Sequence, residues 1–153
     1  QMDQAIRAAV ATVPYRNRKL LTYHDSWAYF AKQYGLEVIG AVQPSNFSQP
    51  SVREVAGLID QVKALGLPAV FGSEVFPSDV LEAIASEANA QFIDDLADDD
   101  LPGKPGDPEH SYLGLMRQNL VTMIPALGGD AAVVAGLDIS NVFDGTSGAV
   151  YPQ

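Results

Sequence analysis

A chain of 153 residues, 47% apolar and 18% charged, is long enough to bury a core of its own as one domain and too apolar for wholesale disorder. Its 9 Lys and Arg against 19 Asp and Glu leave a formal charge of −10, which repels phosphate backbones and anionic bilayers, attracts cations, and excludes nucleic acid as an expected partner. The lack of cysteine removes disulfides, thiolate zinc sites and thiol nucleophiles together, so a transition-metal site must be built from His and carboxylates.

Met2, Ile6, Ala9 and Val13 recur at helical spacing until Pro14 stops them. A helix under way from the first residues, with no basic and apolar leader before it, reads as part of a longer polypeptide whose export signal would lie elsewhere. Lys19 to Tyr23 is a β-type run. Asp25, as N-cap, opens a helix that turns Trp27, Phe30, Ala31 and Tyr34 to one side, leaves Tyr29 off that side and stops at Gly35.

Leu36 to Val42 is the next strand, followed by a polar, Pro-bounded loop from Gln43 to Pro50. Ser51 and Glu54 form the capping-box pattern ahead of a helix with Val52, Val55, Ile59 and Val62 inward and Gly66 as its stop. Pro68 to Gly72 is the third strand. Ser78, with Asp79 and Glu82, opens a helix that buries Leu81, Ile84, Ala85 and Ala88, and Gln91 to Ile93 is the fourth strand. An acidic loop rich in Pro and Gly runs from Asp94 to Asp107. Asp107-Pro108-Glu109 caps a long last helix with Leu113, Met116, Leu120, Met123 and Leu127 inward, and Pro125 kinks or ends it. From Gly128 onward the chain is Gly-rich and carries no assignable element. Alternating strands and helices predict an α/β fold, a four-stranded, mostly parallel sheet flanked by helices on both faces.

In such sheets ligands bind outside the carboxyl ends of the strands. The residues there are His24 after the first strand, Glu74 after the third, and Asp94 with Asp95 after the fourth. An imidazole and carboxylates meeting along one edge suit borderline and hard divalent metals. By position alone, His24 is as readily a helix-start residue as a ligand, and Asp94 is more readily a solvated turn. His110 reads as an exposed helix-start residue, the run Asp98-Asp99-Asp100 as a solvated loop, and Trp27, Phe30 and Tyr34 as core packing.

The segment from His24 to Leu36 has the form HDxxxYFxxxYGL. It resembles the signature of the metal-binding receptors of zinc and manganese ABC importers. The resemblance continues through Pro44-Ser45, Pro68 to Phe71, Phe92-Ile93-Asp94, Ser111-Tyr112-Leu113 and Gly128-Gly129, covering residues 1 to about 129. It implies two α/β lobes joined by a long helix, with the metal between them. On this chain it lays the end of that helix on residues 1–13 and the C-terminal metal-binding lobe on residues 14–129. The tail, residues 130–153, stays unplaced.

The resemblance further implies that this lobe supplies half of the protein ligands, His24 and Asp94, with Glu74 supporting the site or the lobe interface without touching the metal. Gly72-Ser73 stands between Phe71 and Glu74, one residue more than in many relatives, which loosens that last alignment. The other histidine ligands would belong to the missing N-terminal lobe. The implied protein is a binding module, not an enzyme. It sits in the periplasm or is anchored outside the membrane, and its partners are a divalent metal ion, the other lobe and an ABC permease. A mostly nitrogen ligand set favours Zn2+, with Mn2+ the alternative. The competing reading is a small Mg2+-dependent phosphoryl-transfer or receiver-like domain built on Asp94 and Asp95.

Overall fold

A computed structural model describes residues 1–43, 50–73, 78–97 and 100–140. Its elements are α1 (Met2–Thr12), β1 (Lys19–His24), α2 (Ala28–Tyr34), β2 (Glu37–Gln43), α3 (Val52–Leu65), β3 (Ala69–Ser73), α4 (Asp79–Ala88), β4 (Gln91–Leu96), α5 (Tyr112–Ala126) and α6 (Ala132–Ala135), with a 3-10 turn over Tyr15–Asn17. The four strands form one sheet in the order β2-β1-β3-β4, and every pairing is parallel.

Each face of the sheet carries its own core, as a parallel sheet requires. On one face Leu20, Phe71 and Leu96 pack with Ile6 and Val10 of α1, Trp27 and Ala31, Leu120 and Met123 of α5, and Val134 of α6. On the other, Leu21, Tyr23, Val42 and Val70 pack with Val62 of α3 and Leu81 and Ile84 of α4. Helix α2 therefore covers one face and α3 and α4 the opposite one. This division lets β1 lead outward to β2 while β3 leads the other way to β4, with crossovers of one hand.

Local chemistry places most boundaries. Ser51 and Glu54 make the reciprocal capping box, and Gly66 ends α3 with φ 60°, a left-handed conformation that costs a residue without Cβ little. The Ser78 hydroxyl accepts the Leu81 N–H at 3.1 Å to start α4.

Several expectations change. Asp25 does not cap α2, which starts two residues later behind Trp27, with no side-chain cap; the indole is buried at the helix entrance, so packing fixes the start. Val52 is 88% exposed, not inward, because side chains lean toward a helix N-terminus and one at the first position projects past its end. Helix α5 begins at Tyr112 behind Ser111, whose hydroxyl accepts the Gly114 N–H at 3.0 Å, and not at Asp107. His110 thus precedes the helix, half-buried, with its Nδ1 3.1 Å from the Pro102 carbonyl. Part of the unplaced tail is core: Ala131, Val134 and Ile139 are buried, and the Asp130 N–H donates to the Thr12 hydroxyl of α1 at 2.7 Å.

The fourth strand runs to Leu96, three residues beyond its expected end. Phe71 lies opposite Ile93, yet Ser73, two residues on, lies opposite Leu96, three residues on. The extra residue is a β-bulge at Asp94-Asp95, which brings Ile93 and Leu96 to the same face and core cluster although a regular strand would alternate them.

Candidate metal site

Because all strands are parallel, their carboxyl ends share one edge, where His24, Gln43, Ser73 and Leu96 are the terminal residues of β1 to β4. The order β2-β1-β3-β4 reverses direction between β1 and β3. The region outside the strand ends at such a reversal is the usual ligand position in an open α/β sheet. His24 stands at this switch point.

The local sequence holds it there. Leu20 to Tyr23 are buried and anchor β1 on both faces. The Thr22 hydroxyl donates to the His24 carbonyl at 2.7 Å, fixing the strand end, and Gln43 of β2 lies opposite. The His24 ring meets Tyr23 edge-on, centroids 4.6 Å apart, and the residue is half-buried. An imidazole so oriented at a half-open edge can offer a ring nitrogen to a borderline metal.

The acidic residues divide. Asp94 and Asp95 are exposed and lie within β4, in its bulge, not beyond its end. The register sets His24 level with Ser73 and Leu96, each two or three residues past the matched row Thr22, Phe71 and Ile93. Asp94 therefore sits below the row that His24 occupies. The residues that follow the true end of β4 are Ala97 and then Asp98-Asp99-Asp100. Glu74, Asp98 and Asp99 lie outside the described residues. Among the described residues no three His or carboxylate side chains gather closely enough to hold a metal ion.

Sequence reasoning missed Asn119. It is completely buried in α5, where its amide N–H donates to the Ala97 carbonyl at 2.7 Å and its carbonyl accepts the Ala97 N–H at 2.8 Å. The available signal was a polar residue at positions i+3 from Met116 and i−4 from Met123, inside an otherwise apolar stripe. Beside this clamp a cleft of about 620 Å3 runs between α1, α2 and α5, lined in part by Trp27, Tyr29, Ala97, Tyr112 and Asn119.

This α/β lobe carries an imidazole at its switch point. Residues 1–126 match the family described as zinc-uptake complex component A, periplasmic, and the chain belongs to that family. It is 32% identical over 130 residues to the manganese-binding lipoprotein MntA of Bacillus subtilis, covering 82% of this chain and 42% of that protein. It is 30% identical over 132 residues to the zinc-binding protein TroA of Treponema pallidum, covering 83% and 42%. The iron-binding protein YfeA of Yersinia pestis shares 26% over 128 residues, covering 83% and 40%. The solved structure of the Treponema pallidum periplasmic zinc-binding protein TroA superposes with a TM-score of 0.72 at 30% identity, covering 82% of this chain and 47% of that one. The chain thus spans less than half the length of these relatives, and it folds as one lobe of a metal-binding periplasmic protein. These relatives are named for the metals they bind.

Proposed function

We propose that this chain is the C-terminal lobe of an extracytoplasmic receptor that captures a divalent metal, zinc, and delivers it to an ABC permease. The observation that carries the reading is His24 at the topological switch point of a lobe of this family, inside the segment Tyr23 to Leu36. His24 donates a ring nitrogen from β1, and a carboxylate reaches the metal from the far end of β4. Asp94 is the donor that the sequence resemblance names. Glu74 supports the lobe interface. The other lobe completes the ligand set, and the receptor works in the periplasm or tethered outside the membrane.

Imidazole nitrogen suits Zn2+ better than Mn2+, for which oxygen is the more favourable donor. In the intact protein His24→Glu should therefore weaken zinc binding more than manganese binding, measured by competition with a chromogenic chelator. Equal losses, or none, remove His24 from the ligand set. Asp94→Asn beside single Asn variants at positions 98, 99 and 100 identifies the carboxylate by the largest loss of zinc affinity.

A further inference from the structure

We propose that Thr22 is a positioning residue for metal capture: from inside β1 its hydroxyl holds the His24 carbonyl and so sets the direction in which the His24 imidazole leaves the strand. The inference rests on the reading that His24 binds the metal.

Strand β1 is an inner strand, flanked by β2 and β3. Its alternation gives Leu20 to one core and Leu21 and Tyr23 to the other, which would send the side chains of Tyr23 and His24 to opposite faces. Their rings instead meet edge-on with centroids 4.6 Å apart. The chain therefore turns at His24. In a straight strand the carbonyls lie in the plane of the sheet, out of reach of a short side chain that stands on its face. Here the Thr22 hydroxyl donates to the carbonyl two residues on at 2.7 Å, so it holds the turned peptide and fixes the backbone torsion that follows the His24 Cα.

The surroundings make the choice informative. Thr22 is 2% exposed, and valine would suit the same strand position with no hydroxyl to bury. Burying a hydroxyl is offset only where it is bonded, and this one goes to the residue that the metal needs. Buried polarity also gathers at this edge. Among the described residues, Thr22, Gln43 and Ser73 are buried and polar at or beside the carboxyl ends of β1, β2 and β3, whereas Ser78 and Asn119 cap α4 and hold Ala97. Gln43 pairs with His24, and Ser73 stands two residues past Phe71, the partner of Thr22. The imidazole nitrogens lie only two rotatable bonds from Cα, so a backbone turned by the wrong amount carries them off the metal. Groups that orient ligands carry about 10–100-fold in metal affinity, and one that acts through the backbone belongs at the lower end.

The test uses zinc alone and the intact protein. Thr22→Val, which keeps the shape and removes the donor, should weaken zinc binding about tenfold at a temperature where the apo variant is fully folded, and should shift the His24 ring proton resonances of the apo protein. Thr22→Ser, which keeps the hydroxyl and drops the methyl, should bind zinc within about twofold of wild type. Ile84→Val, a truncation in α4 within the opposite core, should lower the melting temperature and leave zinc binding unchanged. A loss in either of these equal to that of Thr22→Val, or no loss in Thr22→Val, would overturn the proposal. His24→Ala separates the levels. If it loses zinc while Thr22→Val does not, the positioning role alone falls; if it keeps zinc, the reading of His24 as a ligand falls. Should Thr22→Val fail to fold, the wild-type protein decides: zinc should slow exchange of the Thr22 hydroxyl proton with water, and an unchanged rate overturns the proposal.

Discussion

Gly114 illustrates how a single position constrains the entrance to α5. A Cβ there would run into the Glu109 backbone carbonyl, and the Gly114 N–H is already committed to the Ser111 hydroxyl. Replacing helical Gly by Ala ordinarily gains up to about 1 kcal/mol, but backbone cannot step aside as a side-chain tip can. Gly114→Ala should instead destabilise the protein by about 1–3 kcal/mol in urea unfolding, and a variant more stable than wild type would mean that the loop over Glu109 yields freely. Residue-scale features were unevenly legible. The place of His24 at the end of β1 was readable because it closes a β-type run. Asn119 was passed over because an amide on a helix gives no local sign that a distant peptide will meet it. Gly72 is similar: a Cβ on it would come within 3.3 Å of Asp94 Cα and 3.2 Å of the Phe92 ring, a close approach at the β4 bulge that only the folded sheet reveals.

Among the elements, α3 is the most locally specified. The Glu54 carboxylate accepts the Ser51 N–H at 2.7 Å while the Ser51 hydroxyl accepts the Glu54 N–H at 3.3 Å. The Ser51 hydroxyl and N–H hold the Glu54 carboxyl below its ordinary value. A carboxylate depressed in this way adds stability above its unfolded pKa and loses it as pH falls through the lower folded value. Glu54→Gln should therefore be less stable than wild type at pH 7, with the gap closing below about pH 4. Ser51→Ala, which removes the hydroxyl at the cap, should cost about 1 kcal/mol. Urea midpoints at both pH values check this; a gap independent of pH would show that the carboxylate does not act through its charge. The caps at Ser51 and Ser78 were legible because their chemistry spans four residues. The extension of β4 to Leu96 was not, because charged Asp94-Asp95 look like a strand's end until a bulge lets them sit in the ladder with their side chains in water. The start of α5 was misread because Asp107-Pro108 satisfies the local capping pattern, while the bond that operates belongs to Ser111.

At the scale of the whole molecule, the alternation of strands and helices made the four-stranded lobe legible, whereas the closure of one face did not follow from local pattern. Helices α1 and α6 meet there although their sequences lie at opposite ends of the described chain. Thr12 bonds to Asp130, and the Asn17 amide donates to the Leu127 carbonyl at 2.9 Å, long-range pairings for which a Gly-rich tail gives no warning. Arg7 adds a link from α1 to α2, bonded to Asp3 at 3.1 Å and lying 5.3 Å over the Tyr34 ring, so the first helix is joined to the helix that follows His24. Metal binding should then be read out by the stability of the whole fold. A ligand that binds only the native state adds about 2.7 kcal/mol at 100 times its Kd, which for a protein of this size class raises the melting temperature by on the order of 5 °C or more. The intact receptor should show that rise with zinc, and His24→Ala should abolish it. The 153-residue chain by itself should gain far less at the same zinc concentration, because one imidazole and one carboxylate leave half of a tetrahedral shell to water. Calorimetry on the three proteins side by side checks this, and an equal rise in the short chain and the intact receptor would mean that the zinc site is complete within this lobe.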